Sequence, residues 1–494
     1  MAIRMLWNPL PMSLKPRAPG ATRGSLTVRT AGCLCVALLV GCVRSTGIDH
    51  QLSPLTLAEI ETDQTFNAWP STDWWRVYQA PALDDLIEHG LRDDPSLQVA
   101  LARLRAARAG TEFIGTRLMP HAAAGFDSTF QRYSENGLAP PSIAGDRRSD
   151  NRFALDLAYE LDLFGKRHAE VAAAQAQTLA IEIDSQTVRL GVASAIARAY
   201  FYLAQACAER KVVQDTLTQR QHILSLVQVR VAEGLDSNVE LRQAEGAIPQ
   251  GEGELVELDE RIALLRSALA KLAVVPPAAT ATLSPVLSAR SPPTLPAIVP
   301  SNLLARRPDI AAARNHVDSV LHGVDAVRAE FYPTVNLAAF VGFSALGLGA
   351  LLEGSSLIYG VAPAVSLPIF DAGRLRAKLK FVNAQTDEAI AQYNQALLDG
   401  LQEVVHAVIS LRALALRERA QRAAQDSAES AYGLALQRFR AGLTGYLTVL
   451  ATETEVLRQR RAATTLAARA YTLDIDLKRA LGGGFAAAVP TATP

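Results

Sequence analysis

The sequence predicts an α+β membrane protein: strand pairs that close into a β-barrel, continued by long paired helices, in a scheme written twice along the chain. Three observations carry this expectation. Pro95 and Pro120 recur as Pro308 and Pro333 at a shared offset of 213, and Gly165 and Gly234 recur as Gly373 and Gly442 at a shared offset of 208. Lys166–Glu233 and Arg374–Arg440 are helically patterned without a proline, each roughly 100 Å of rod at 1.5 Å per residue, too long for a globular domain. Between the prolines and the rods lie short stretches with strand character, and Phe153–Leu163 alternates strictly between apolar and polar positions.

Composition narrows the classes. The 494 residues carry 49 Lys+Arg and 49 Asp+Glu, which leaves no basic footprint for nucleic acid. Charged residues make up 20% and aromatics 6%, closer to long packed helices than to a β-sandwich or a disordered chain.

Residues 1–41 read as a lipoprotein signal peptide. Arg4, Lys15, Arg17, Arg23 and Arg29 stand without an acid, ahead of the apolar run Ala31–Gly41. That run is too short to span a bilayer as a helix but suits the apolar region of a signal peptide. It ends in Leu39-Val-Gly-Cys42, which resembles a lipobox; the resemblance implies that Cys42 becomes the first mature residue, with diacylglyceryl on sulfur and an acyl group on nitrogen. An ordinary signal peptide is the alternative, and Met12 is an alternative start. Val43, where an inner-membrane retention signal would have Asp, favours the outer membrane. With Cys33, Cys35 and Cys42 assigned there, Cys207 is left alone and forms no internal disulfide.

Residues 42–80 form a polar lead containing Trp69-Pro70 and Asp73-Trp74-Trp75. The first repeat, 81–275, opens with helical pattern over Ala82–Thr116, broken at Asp94-Pro95 and stopped by Pro120. A strand pair follows within 120–164, as Ala122–Tyr133 and Phe153–Leu163, with the polar stretch Ser134–Asn151 as its loop. In the second strand Phe153, Leu155, Leu157, Tyr159 and Leu161 oppose Asp156, Glu160 and Asp162, the pattern of a lipid-facing strand and equally of a half-buried soluble one. The first rod carries a coiled-coil seam, Val213, Leu217, Leu224, Val227 and Val231. Gly234 ends it, Leu235-Asp236-Ser237 makes a turn with an N-cap, and a return helix runs to about Leu272, with a kink expected at Pro249.

Residues 276–300 are a linker. The second repeat, 301–482, has a helix over Asn302–Glu330, a strand pair within 333–370 split by a link from Gly342 to Gly360, then rod, turn at Gly442 and return helix. Residues 483–494 are a flexible tail. The uncharged stretch Tyr332–Leu352 also raises a transmembrane helix, but Pro333, Asn336, Gly342, Gly347 and Gly349 weigh against it.

Four strands cannot sit open in lipid, because every backbone group there needs a partner. The chain must therefore oligomerise if its strands face lipid: two copies give eight strands, three give twelve. The narrow apolar stripe of each rod also calls for neighbours.

Several stretches resemble TolC-like outer-membrane efflux proteins, and more narrowly the lipoprotein branch (NodT/OprM-like) that serves resistance-nodulation-division (RND) pumps. They are Leu303-Leu-Ala-Arg-Arg-Pro-Asp-Ile310, Leu367-Pro-Ile-Phe-Asp-Ala-Gly-Arg374, Trp74 with Pro81-Ala-Leu-Asp84, the glycine-rich link before Leu367, and Ala480-Leu-Gly-Gly-Gly484. The resemblance implies a homotrimer with one twelve-stranded barrel in outer-membrane lipid and a helical tunnel in the periplasm. It further implies a periplasmic membrane-fusion adaptor and an inner-membrane RND pump as partners, no cofactor, and export of small toxic compounds or drugs. A duct for type I protein secretion would share the fold, and a lipid-anchored coiled-coil spacer would explain the rods alone.

The resemblance also assigns residues. The two helix tips, with Arg230, Gly234, Leu235, Asp236, Arg438, Gly442 and Leu443, match the ends that meet the adaptor. Family members often carry acids just after the second tip; here Gly445–Thr452 has Thr448 and Ala451 at those places, and Glu240 stands at the first-copy equivalent of Thr448. The expected mouth is therefore narrowed by Tyr446, Leu447 and Thr448, with Glu240 supplying any acidic ring. Catalysis finds no support: the eight histidines form no metal-ligand pair, and no nucleophile elbow or phosphate loop is present.

Overall fold

A computed structural model describes residues 46–55, 69–287 and 306–486. Cys42, the signal segment, most of the linker and the end of the tail lie outside the described residues. The element order helix, two strands, 67-residue helix and return helix occurs twice. The first set comprises α1 (Pro81–Asp93), α2 (Pro95–Gly115), β1 (His121–Arg132), β2 (Arg147–Leu161), α3 (Lys166–Ala232) and α4 (Asn238–Ala273). The second comprises α5 (Pro308–Ala329), β3 (Thr334–Leu346), β4 (Leu357–Ser366), α6 (Arg374–Arg440) and α7 (Tyr446–Ala480).

Local chemistry sets these limits. Asp94 caps α2, accepting from the Ser96 and Leu97 amides ahead of Pro95 at the first helical position. Gly165 and Gly373, at φ 74° and 87°, turn the chain from sheet into rod. Asp371 accepts from the Gly373 and Leu375 amides and so starts α6, which gives the Phe-Asp-x-Gly-Arg segment a physical reason. Pro249 sits inside α4, whose helical run continues through it.

The strands form one antiparallel sheet in the order β1-β2-β3-β4. Its boundaries differ from the sequence expectation in three places. β2 begins at Arg147, because the polar residues before Phe153 pair with β1. β3 runs through Gly342, which opposes Ala154 where a Cβ would stand 2.7 Å from the alanine methyl. β4 ends at Ser366, ahead of Pro368. Tyr332–Leu352 is mostly strand, and among the described residues no helix is long and apolar enough to cross a membrane.

The rods are shared between two levels. Near the sheet, α3 packs on α2 and α5, and α5 on α6; toward the far end, α3 packs on α4 and α7, and α7 on α6. Where the levels meet lies the largest core: Trp74, Trp75 and Tyr78 against α1, Phe201 and Tyr471, the last two stacked at 4.1 Å. The Arg-Arg-Pro-Asp segment locks this waist. Arg307 donates to Glu403 (2.9 Å), to the Ala480 carbonyl (3.1 Å) and to Asp309, while Arg306 lies over Trp69. A Cβ on Gly482 would stand 2.3 Å from the Arg306 carbonyl, on Gly483 2.3 Å from Leu190, and on Gly484 2.4 Å from Ser71, so only glycine passes.

Candidate functional site

Two regions carry the chemistry: the paired helix tips and the two faces of the sheet. At each tip the long helix ends in the same hydrogen-bond pattern. The Leu235 amide donates to the Arg230 carbonyl and Gly234 to Val231; Leu443 donates to Arg438 and Gly442 to Phe439. These are Schellman caps, with Gly234 and Gly442 at φ 72° and 75°, a backbone conformation that favours glycine.

Arg230 joins the tips to one another. Its guanidinium grips Asp236 with two bonds (2.7 and 3.1 Å), donates to the Phe439 carbonyl at 3.1 Å and lies 4.7 Å from the centre of the Phe439 ring. Both partners of this pair are buried. Arg230 and Asp236, expected at the adaptor surface, direct their polar atoms to each other and to the neighbouring tip. The surface at the tips belongs instead to Leu235 (66% exposed) and Leu443 (69%), beside exposed Arg438, Gly234 and Gly442.

The mouth residues separate in the same way. Tyr446, expected at the mouth, is 3% exposed within the chain and packs beside Phe439, so its ring supports the tip from within. Leu447 and Thr448 are exposed. Glu240 closes a capping box, accepting from the Ser237 amide (2.9 Å) and hydroxyl. The Ser237 hydroxyl and the backbone amides hold its pKa below the usual glutamate value, so the group is ionised at neutral pH.

Sequence reasoning missed a buried cluster above the tips. The Arg220 Nε donates to Glu453 at 2.9 Å, and Nη1 donates to the Ala247 carbonyl at 3.1 Å, tying α3 to α7 and α4. Gln219 donates to the Tyr432 hydroxyl at 2.6 Å, tying α3 to α6. Burial raises the Glu453 pKa, with Arg220 pulling the other way, and burial with help from Glu453 pushes Tyr432 up to about 12. A signal existed: Arg220 falls three after Leu217 and four before Leu224, and Glu453 four after Val449 and three before Val456. A charge on an apolar stripe needs a buried partner.

The sheet has two chemically different faces. Register puts Phe126, Phe153, Phe343 and Leu357 side by side on one face, which also carries the exposed Leu155, Val341, Tyr359, Val361 and Val365. The opposite face carries Asp127, Arg152 and Asp156. Within the chain β1 and β4 each have a free edge.

Comparison with known proteins agrees with this geometry. The model of the outer membrane efflux protein family matches residues 86–273 and 299–483. The chain belongs to that family. It is 30% identical to the multidrug resistance outer membrane protein MdtQ of Escherichia coli O157:H7, over 91% of this chain and 96% of the relative. It is 31% identical to the fusaric acid resistance protein FusA of Burkholderia cepacia, over 74% of this chain and 70% of that one. Among solved structures, the outer membrane protein VceC of Vibrio cholerae superposes with a TM-score of 0.79 at 34% identity, covering 85% of this chain and all of VceC. The outer-membrane channel OprN superposes at 0.77 with 26% identity, covering 88% of this chain and 99% of OprN. The sheet and rods of this outer membrane efflux protein are thus those of a transport channel, and its relatives are channels and efflux proteins rather than enzymes.

Proposed function

We propose that three copies of this efflux protein close one twelve-stranded barrel in the outer membrane, continued into the periplasm by a helical tunnel. The tunnel is the exit duct of a tripartite assembly with a periplasmic membrane-fusion adaptor and an inner-membrane RND pump. The cargo is small toxic compounds or drugs, in keeping with the resistance names of MdtQ and FusA. One observation carries the reading: a four-stranded sheet with an apolar exposed face and two free edges. Such a sheet is stable in lipid only when other copies pair both edges.

The lead supports a lipid anchor on Cys42. Ile48 seats among Val324, Val327 and Leu379, close to where α5 leaves for β3 and α6 begins. The Gln51 and Leu52 amides donate to Asp387, and Leu55 donates to Asn394, so the segment descends along α6. From Ile48, six residues of extended chain reach about 20 Å back to Cys42, enough to place its acyl groups in the periplasmic leaflet. Leu235, Leu443 and Arg438 with the two tip glycines form the adaptor surface, and Leu447, Thr448 and Glu240 surround the mouth.

Mass and outline of the mature protein, purified from outer membranes in detergent, test the reading. A threefold particle with a long hollow stalk is the expected result. A monomer, or a paired rod without a barrel, would remove the sheet argument.

A further inference from the structure

The inward face of the sheet carries one feature that a water-filled passage does not require. Among the residues that register places on that face, Phe340 of β3 is the only Phe, Tyr or Trp. Across the sheet Phe340 stands between Asp156 of β2 and Gly360 of β4. Phe340 opposes Gly360 of β4, and a Cβ there would stand 2.8 Å from the ring, so the bare glycine lets the ring lie down on the sheet. In the next row of the same face, Ala154 stands between Gly125 and Gly342.

Across that shallow floor Arg152 reaches along β2 to Asp156, with guanidinium-to-carboxylate bonds of 3.1 and 2.5 Å. The guanidinium carbon sits 5.7 Å from the centre of the Phe340 ring. Asp127 is the direct cross-strand partner of Arg152. From position 148 to 156 of β2 and its partners on this face, Asp127, Asp150 and Asp156 stand against Arg148 and Arg152, while β3 and β4 add no charge to it. The result is a flat aromatic surface rimmed by excess negative charge, with one arginine beside it.

We propose that this surface is a contact station for planar aromatic cations in transit, three such stations ringing the barrel interior. The ring of the passing solute stacks on Phe340, its positive charge faces Asp127 and Asp156, and Arg152 limits how long it stays. A duct that transiently holds such solutes on its wall discriminates among them independently of whatever loads it at the far end. The proposal rests on the duct reading above.

Planar-bilayer recording on the purified full-length protein tests it. N-methylacridinium is added to the side the strands face, with tetraethylammonium as a non-aromatic cation and naphthalene-2-sulfonate as an aromatic anion. N-methylacridinium is expected to give brief current blockades, and the other two markedly fewer. Phe340→Leu, which keeps an apolar cover over Gly360, should shorten the dwell time roughly tenfold, the equivalent of about 1.4 kcal/mol, and Phe340→Trp should preserve it. Asp127→Asn should shorten the dwell and Arg152→Gln lengthen it. If Phe340 only shields Gly360, Phe340→Leu leaves the dwell unchanged and any effect is confined to heat resistance of the oligomer; that overturns the proposal and leaves the duct standing. Absence of any channel current overturns both.

Discussion

Glu453 and Arg220 show what a single buried charge does in a helical rod. Removing one partner of such a pair leaves the other desolvated, so Arg220→Ala should lower stability by about 3–5 kcal/mol at neutral pH, read by denaturant titration. The pH dependence has a definite sign. Burial raises the Glu453 pKa, so the folded protein holds this proton more tightly than the unfolded chain does. The contribution of this group to stability is therefore greatest below the ordinary glutamate pKa and declines as pH rises through the raised value. Thermal melting of the wild type against Glu453→Gln should show the variant gaining relative stability between mild acid and neutral pH. The opposite trend would mean that attraction to Arg220 outweighs burial. Gly482 makes a complementary case: with φ at 82° and the Arg306 carbonyl against the missing Cβ, Gly482→Ala should unseat the waist and lower the yield of folded oligomer.

At the scale of elements, the tip is a unit separable from the waist. The hydrophobic cluster around Val227, Tyr432, Phe439 and Tyr446 does not join the one around Trp74 and Phe201. Arg230 binds the two tips through Asp236, the Phe439 carbonyl and the Phe439 ring, and charge-assisted bonds of this kind contribute about 1.5–3 kcal/mol. Arg230→Met keeps the stem and loses these bonds. Hydrogen exchange should then speed up in residues 225–240 and 436–446 with the waist unchanged. Uniform loss of protection would show that the rods open as one.

The element boundaries also show where sequence patterning stops being informative. The apolar half of β2 was legible because Phe153, Leu155 and Leu157 alternate with polar residues. Its beginning at Arg147 was not, since Arg147–Arg152 is polar at every position and is held as strand only by pairing with β1. The part of β3 after Gly342 was hidden for a similar reason: glycine reads as a break, yet here it makes room for Ala154. The tips were legible as Gly234 and Gly442, whereas the contact of Arg230 with Phe439 and the packing of Tyr446 in the cluster with Val227 depend on helices from the two halves of the chain.

At the scale of the whole molecule, a free-edged sheet and long rods with narrow apolar stripes are what the proposed three-copy barrel requires of each protomer. The described lead lies along α6, from Ile48 beside Leu379 to Leu55 at Asn394, which places Ile48 toward the sheet end of that rod. Intact-mass measurement of the protein from outer membranes should exceed the polypeptide mass of residues 42–494 by a diacylglyceryl group and one acyl chain. Cys42→Ser should abolish that increment. An unmodified chain cut elsewhere would leave the barrel argument untouched and remove the anchor.

What the sequence by itself determined is the class of object. Periodicity, helix length and the spacing of prolines and glycines are local quantities, and they are enough to define two long rods, their glycine tips and alternating strands. The family signatures were legible as strings but not as causes. Only the tertiary structure shows that Arg306 and Arg307 clamp the waist, that Asp371 starts a rod, and that Gly482 and Gly484 pass against neighbouring backbone. It alone decided which charged residues are turned inward, because that depends on pairings such as Arg220 with Glu453 and Arg230 with Phe439, more than 200 residues apart in the chain. Burial across such separations is set by packing between elements, and no window of sequence contains both partners.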